Sequence, residues 1–280
     1  MNYDFLHFSE GLGYKALQKK EFSFSICERR NFHHAVYEQE IEVLENYPIN
    51  GRPDPIGDIL NFEYERSNFI LVYSEAAKSS FVERGYDPDK VRVTPIGIGP
   101  QLPRKAMRRN ATSLLYVGRS DAFKGLDVAV AAVKLLGHPF RLTVAGVMSP
   151  EVKSWLSAQK AVDYVGVLSK RELRDAYSSH GAIILPSIES FGLAPAEAVY
   201  HGLPLVCSDQ TGIAEYLPES HKRIVFGRDP QAWASAVLEV CGRPGSIDPA
   251  ASAAIDSAFA ALSWRSAAEK LRLLYDSAIY

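Results

Sequence analysis

The chain has 280 residues, 47% hydrophobic and 23% charged, enough apolar material for one large or two modest cores, so it reads as a folded soluble protein. A formal net charge of -2 argues against a nucleic-acid binder, whose footprint is a clear basic excess. No run approaches the roughly 18 to 20 apolar residues of a membrane span, the opening MNYDFLHFSEG lacks a signal-peptide pattern, and Cys27, Cys207 and Cys241 have no ligand or disulfide spacing. These readings predict a cytoplasmic protein acting on a small ligand.

In chain order, YDFLHF (3–8), FSFSIC (22–27), NFILVYS (68–74) and VRVTPIG (91–97) are predicted strands, with helices near 11–19, 35–46, 57–67 and 75–84. HFSEGLG (7–13) ends a strand with two glycines and reads either as a loop approaching an acceptor or as a simple turn. PIGIGPQLPRKAMRRN (95–110), rich in proline and glycine at one end and basic at the other, reads as an exposed linker. Its cluster Arg104, Lys105, Arg108 and Arg109 is expected to be solvated, with contact to an anionic lipid or a phosphate as the alternative.

From Thr112 onward the grammar is that of a parallel sheet wound by crossover helices. SLLYVG (113–118), RLTVAG (141–146), VDYVG (162–166), AIILPS (182–187), LPLVCS (203–208) and RIVF (223–226) are strands, nearly all apolar, as both-face coverage requires. Helices are expected near 124–136, 150–159, 170–178, 195–201 and 211–217, in the alanine-rich 247–261, and in the amphipathic 262–280. The fold class is therefore α/β. The expected organisation is a shortened first unit over 1–100, a doubly wound second unit over 101–262, and a terminal helix over 263–280 that packs on a domain surface, with return to the first unit as one arrangement.

The stretch ESFGLAPAEAVYHG (189–202) places two glutamates around a strand-to-helix loop. Starting the helix at Pro195 puts Glu189 at a strand's carboxyl end and Glu197 in the first helical turn. Helix N-termini at such crevices bind phosphate, while carboxylates there suit hydroxyls. A diphosphate flanked by two sugars meets both needs. VGRSDAFKG (117–125) adds Arg119 and Lys124 at another strand end, from which two cations can stabilise a diphosphate leaving group without a metal.

GRSDAFKGLD, PSIESFGLAPAEAVYHGLPLVCSD and GIAEYL, in that order, resemble the donor-binding domain of retaining glycosyltransferases of the GT-B fold, specifically family 4 with its E-x7-E hallmark. The resemblance covers 113–217 and continues more weakly through ERRNFHHAVYEQEIEVLE and the segment ending in PIGIG. It implies two Rossmann-like domains and transfer of a sugar from a nucleotide-diphosphate donor with retention, with no cofactor and no metal. In that picture Glu189 meets donor-sugar hydroxyls, Glu197 the ribose, Arg119 and Lys124 the diphosphate, and Gly118, Ser190, Phe191, Gly192 and Leu193 line the donor. Asp209 is read as lining the base or ribose end or as a helix cap, and His34, with His33, Arg29 and Arg30, as a basic group facing the donor sugar or a structural one.

The family's N-terminal domain opens with several βα units, whereas MNYDFLHF resembles a middle strand, so the first domain is expected to be incomplete. That leaves self-association or a partner chain completing the domain as expectations, and a noncatalytic nucleotide-sugar-binding subunit as the alternative to an enzyme. The acceptor and base stay open. Contact with the inner face of a membrane is a further expectation attached to the basic linker and the N-terminal half.

Overall fold

The computed structural model describes residues 5–19, 22–37, 56–105, 107–241 and 249–279. Four short strands, β1 (Phe5–Ser9), β2 (Phe24–Glu28), β3 (Phe69–Val72) and β4 (Val91–Val93), form a parallel sheet in the order β1-β2-β3-β4. Helices α1 (Tyr14–Lys19), α2 (Gly57–Arg66) and α3 (Glu75–Val82) accompany it. Parallel neighbours need crossovers, and a strand such as FILV, buried at three of its four positions, suits a sheet with helices against it. Cys27, Leu60, Tyr64, Ile70, Val72 and Phe81 are fully buried in its core. The helix expected over 35–46 lies, beyond Tyr37, outside the described residues.

The second sheet holds β5 (Asn110–Val117), β6 (Arg141–Ala145), β7 (Val162–Gly166), β8 (His180–Leu185), β9 (Leu205–Ser208) and β10 (Lys222–Val225). All its pairs are parallel, in the order β10-β9-β8-β5-β6-β7. The chain runs outward from β5 to β7, returns to the other side of β5, and runs outward again. The crossovers after β5 and β8 therefore lead in opposite directions along the sheet, which makes their carboxyl ends the switch point where ligands bind in such sheets. Around this sheet stand α4 (Leu126–Leu136), α5 (Pro150–Ser157), α6 (Lys170–Ser179), α7 (Leu193–Tyr200) and α8 (Pro230–Cys241). Ser169 and Glu172 start α6 with a reciprocal capping box.

Two elements differ from the sequence expectation. The helix over 211–217 is a 3-10 turn, Gly212–Tyr216, because the buried Lys222 ammonium draws in the Ala214 and Leu217 carbonyls at 2.6 and 3.0 Å. Helix α8, which the sequence reading passed over, buries Trp233, Ala234, Val237 and Val240 at helical spacing.

The basic linker is corrected in part: Arg104 and Arg109 are anchored to protein, while Lys105 and Arg108 are exposed as expected. Arg104 pairs with Asp256 at 2.6 Å and lies over the Tyr200 ring, and Lys105 reaches Asp175 at 3.2 Å. Arg109 donates to the carbonyls of Tyr177, His180 and His201 at 2.8, 3.1 and 2.8 Å, and burial pulls its pKa down to about 10. Among the described residues no helix is long and apolar enough to cross a membrane.

Helices α9 (Pro249–Ala261) and α10 (Trp264–Ile279) end the chain. At the junction between them the Ile98 amide donates to the Leu262 carbonyl at 2.7 Å, and Ile98 bridges Ser263. Beyond it α10 lies against the first sheet, with the Tyr275 hydroxyl 2.6 Å from His7 Nδ1 and the Tyr275 ring edge-on to Phe5.

Candidate active site

The loops after β5 and β8 meet at the switch point. Lys124 Nζ donates to Glu189 Oε1 at 2.6 Å, with both side chains mostly shielded. The meeting is built from backbone. Ile188 N donates to Phe123 O at 2.9 Å, and Gly125, at φ 66°, approaches Pro186 so closely that a Cβ would lie 2.0 Å from the Pro186 carbonyl. Only glycine permits that contact together with the left-handed backbone that starts α4. Tyr116, fully buried in β5, donates its hydroxyl to Lys124 O at 3.1 Å and to Arg119 O at 3.4 Å, so the loop carrying both cations is held from beneath.

Glu189 is fixed from the other side as well. Its amide donates to Gln210 O at 2.9 Å, and its carbonyl accepts from Gly212 N at 2.8 Å. Ile213 N donates to Phe191 O at 2.6 Å. Ser208 Oγ donates to Ser187 O at 2.6 Å. The loop of 187–191 is thus laid alongside 208–213 before it turns through Gly192 into α7.

Helix α7 begins at Leu193, two residues earlier than the proline rule placed it. Pro195 is tolerated at the third helical position because that amide has no intrahelical partner in any helix, and the first such bond here is Ala196 N to Gly192 O at 3.3 Å. Glu197 consequently lies in the second turn. Its carboxylate is 3.4 Å from the Tyr177 hydroxyl, and desolvation pushes its pKa up against smaller opposing effects of Tyr177 and Lys170. It lines a cavity of about 300 Å³ together with Lys170, Leu173, Tyr177, Leu193 and Trp264. Leu193 is half exposed there.

The remaining candidates fall in several places. Gly118 directly follows β5, its amide on Ala145 O at 3.0 Å. Arg119 turns to Asp121 at 2.6 Å in an exposed pair and does not join Lys124 at Glu189. Ser190 is buried and donates its hydroxyl to Arg30 O across the two halves, and Phe191 is buried beside Tyr216. Asp209 does not cap the following turn, which has Thr211 at its N-cap.

His33 and His34 stack on each other inside the first half. His34 Nε2 shares a hydrogen bond with Asn61 Oδ1 at 2.9 Å. His33 lies edge-on to Phe81, and burial, then the charges of His34, Arg84 and Arg29, lowers its pKa to about 3. These are contacts of packed core histidines, and the catalytic expectation for His34 gains no geometric support. Arg29 is likewise internal, paired with Glu10 and donating to Phe32 O.

The sequence reading missed Tyr116, whose position inside an apolar strand looked like core, and Glu63. The fully buried Glu63 carboxylate accepts the amides of Gly11, Gly13 and Tyr14 at 2.6, 2.7 and 2.8 Å. The glycine loop after β1 is therefore filled by the protein's own carboxylate.

Two parallel sheets joined by a proline-rich crossing make up a GT-B type fold. The chain superposes on sucrose-phosphate synthase from Thermosynechococcus elongatus with a TM-score of 0.73 at 20% identity, over 98% of this chain and 73% of that one. Residues 111–242 match the model of the family described as glycosyl transferases group 1. Among curated relatives, a D-inositol 3-phosphate glycosyltransferase of Xylanimonas cellulosilytica is 29% identical over 72% of this chain and 56% of its own length. A glycogen synthase of Mycobacterium tuberculosis is 29% identical over 75% of this chain and 54% of its own. The chain thus spans about half the length of the curated relatives it matches.

Proposed function

We propose that the protein is a retaining, metal-independent glycosyltransferase of family 4 that moves a sugar from a nucleotide-diphosphate donor to an acceptor hydroxyl. The observation that carries this reading is the Lys124–Glu189 contact, 2.6 Å long, at the switch point and beside the N-terminus of α7. The named activities of the relatives agree with it.

In this reading the first-turn amides of α7 and the loop amides of Phe191 and Gly192 receive the diphosphate, with Lys124 and Arg119 as counter-charge. Arg119 exchanges Asp121 for phosphate, a small loss because that pair is exposed. Glu189 holds Lys124 in place and accepts hydroxyls of the donor sugar, and Glu197 accepts ribose hydroxyls in its cavity. The bond from the anomeric carbon to the β-phosphate oxygen breaks while the acceptor oxygen bonds to that carbon on the same face. The acceptor's proton passes to the departing phosphate oxygen, giving a nucleoside diphosphate and a glycoside. The chain's contribution is positioning and charge stabilisation.

Calorimetric titration with UDP, GDP and ADP and their sugar conjugates, with and without chelator, tests the donor site. Saturable binding of one nucleotide, unchanged by chelator and about tenfold weaker in Glu197→Ala, is expected. Absence of binding by all three would overturn the reading.

A further inference from the structure

We propose that Glu215 is a positioning residue that latches the two halves together and couples their closure to the Glu189 loop. The second part of this proposal rests on the donor-site reading above, and the first does not.

Helix α3 belongs to the first half, and its first-turn amides have no partners within the helix. Its own cap, Ser74, accepts from Ala77 N at 3.1 Å. The two amides before that one are taken by a residue of the second half, with Glu215 Oε2 accepting from Glu75 N at 2.9 Å and Oε1 from Ala76 N at 2.8 Å. A carboxylate held by two amides at the positive end of a helix is a charge-assisted, two-point contact. Here it joins residues about 140 positions apart.

The surroundings are shaped for this approach. A Cβ on Gly212 would lie 2.6 Å from Ser74 Cβ and 2.2 Å from the Ser190 carbonyl, so any side chain there would wedge the two halves apart. The turn that carries Glu215 is pinned by Lys222 through the Ala214 and Leu217 carbonyls. The start of the same turn is bonded to the donor loop, through Gly212 N to Glu189 O and Ile213 N to Phe191 O. A continuous path therefore runs from the start of α3 through the Glu215 side chain and the backbone of its turn to Glu189. Opening the cleft releases two helix amides to water and removes a support from the loop that carries the proposed donor-binding carboxylate.

The test uses the full chain with Cys241→Ser and spin labels on Ser79→Cys of α3 and Lys153→Cys of α5, read by pulsed electron resonance. Circular dichroism checks that each variant is folded. Glu215→Ala and Gly212→Val are expected to lengthen or broaden the distance distribution, with Glu215→Gln intermediate. An unchanged distribution in folded Glu215→Ala would overturn the latch. With UDP, GDP and ADP as probes, the nucleotide that binds is expected to restore the shorter distance in Glu215→Ala, with about tenfold weaker affinity than in the parent. Equal affinity in both would overturn the coupling. If the distances lengthen in Glu215→Ala and none of the three nucleotides binds the parent, the latch is supported, and the coupling falls with the donor reading.

Discussion

Lys124 and Glu189 stand 65 positions apart in the chain and 2.6 Å apart in space, each on a loop that leaves the sheet on one side of its switch point. Each side chain holds the other in a partly shielded setting, so removing one alters the other's charge environment as well as the crevice. Lys124→Ala is expected to lower kcat/KM for glycosyl transfer by about 10²- to 10³-fold. Steady-state kinetics on Lys124→Ala, Glu189→Ala and the double variant check it. The double loss should be smaller than the product of the two single losses, because the two residues act as one unit.

Tyr116→Phe removes a hydroxyl from beneath both cations and nothing else. The expected result is a stability loss of about 1 kcal/mol by denaturant titration. Transfer should fall about tenfold through loosening of the Arg119–Lys124 loop, and unchanged kinetics would show that this hydroxyl serves folding alone.

Glu197 has a pKa raised by burial, so its ionised form costs stability in the ligand-free protein. A folded pKa above the unfolded one means the group favours folding at low pH, and this contribution is lost as pH rises through the folded value. Glu197→Gln is therefore expected to raise the melting temperature of the ligand-free chain more at pH 8 than at pH 4. Thermal unfolding at both values checks it, and an equal shift at both would refute the assignment of cause. Under the proposed donor-site reading, the same substitution should also weaken nucleotide binding, as removal of a group placed against local stability for binding would.

His33 reverses the sign. Its pKa, lowered to about 3 by burial, lies below the usual unfolded value of about 6.5. The stability it confers as a neutral ring is complete above the unfolded value and drains away as pH falls toward the folded one. Denaturant titrations from pH 7 to pH 4 should fall more steeply for the parent chain than for His33→Phe.

Glu63→Ala leaves three amides, one buried and two partly buried, without their acceptor, and a loss of roughly 2 to 4 kcal/mol is expected. The melting curve checks it. Adding phosphate or acetate to the variant is a second readout, since an anion entering the emptied loop would recover part of the loss.

Much of this architecture was legible because its signals are local. The apolar runs of 113–118, 141–146 and 182–187 declared a parallel sheet, and the succession of strand, loop and helix around Glu189 placed it at a carboxyl end. What escaped was set by contacts between distant segments. The start of α7 depends on Gly192 turning the chain before Pro195, and the 3-10 form of Gly212–Tyr216 depends on Lys222 from the next strand. Arg104 and Arg109 looked like solvated linker charge, because the carbonyls and the carboxylate that bind them lie from 68 to 152 positions away. Glu63 carried no motif at all, since its partners are amides and any sequence has those.

The chain passes between its two halves twice, once through the proline-rich segment at Ile98 and once at Ser263, and the two passages are hydrogen-bonded side by side. They form a single ribbon instead of two separate tethers. A ribbon bends readily across its flat face and resists shear and twist, so relative motion of the halves is channelled toward one hinge axis at that edge. Glu215, where the other half meets α3, then stands like a clasp on a hinged case, and a few degrees at the ribbon are enough to stretch its bonds to the Glu75 and Ala76 amides.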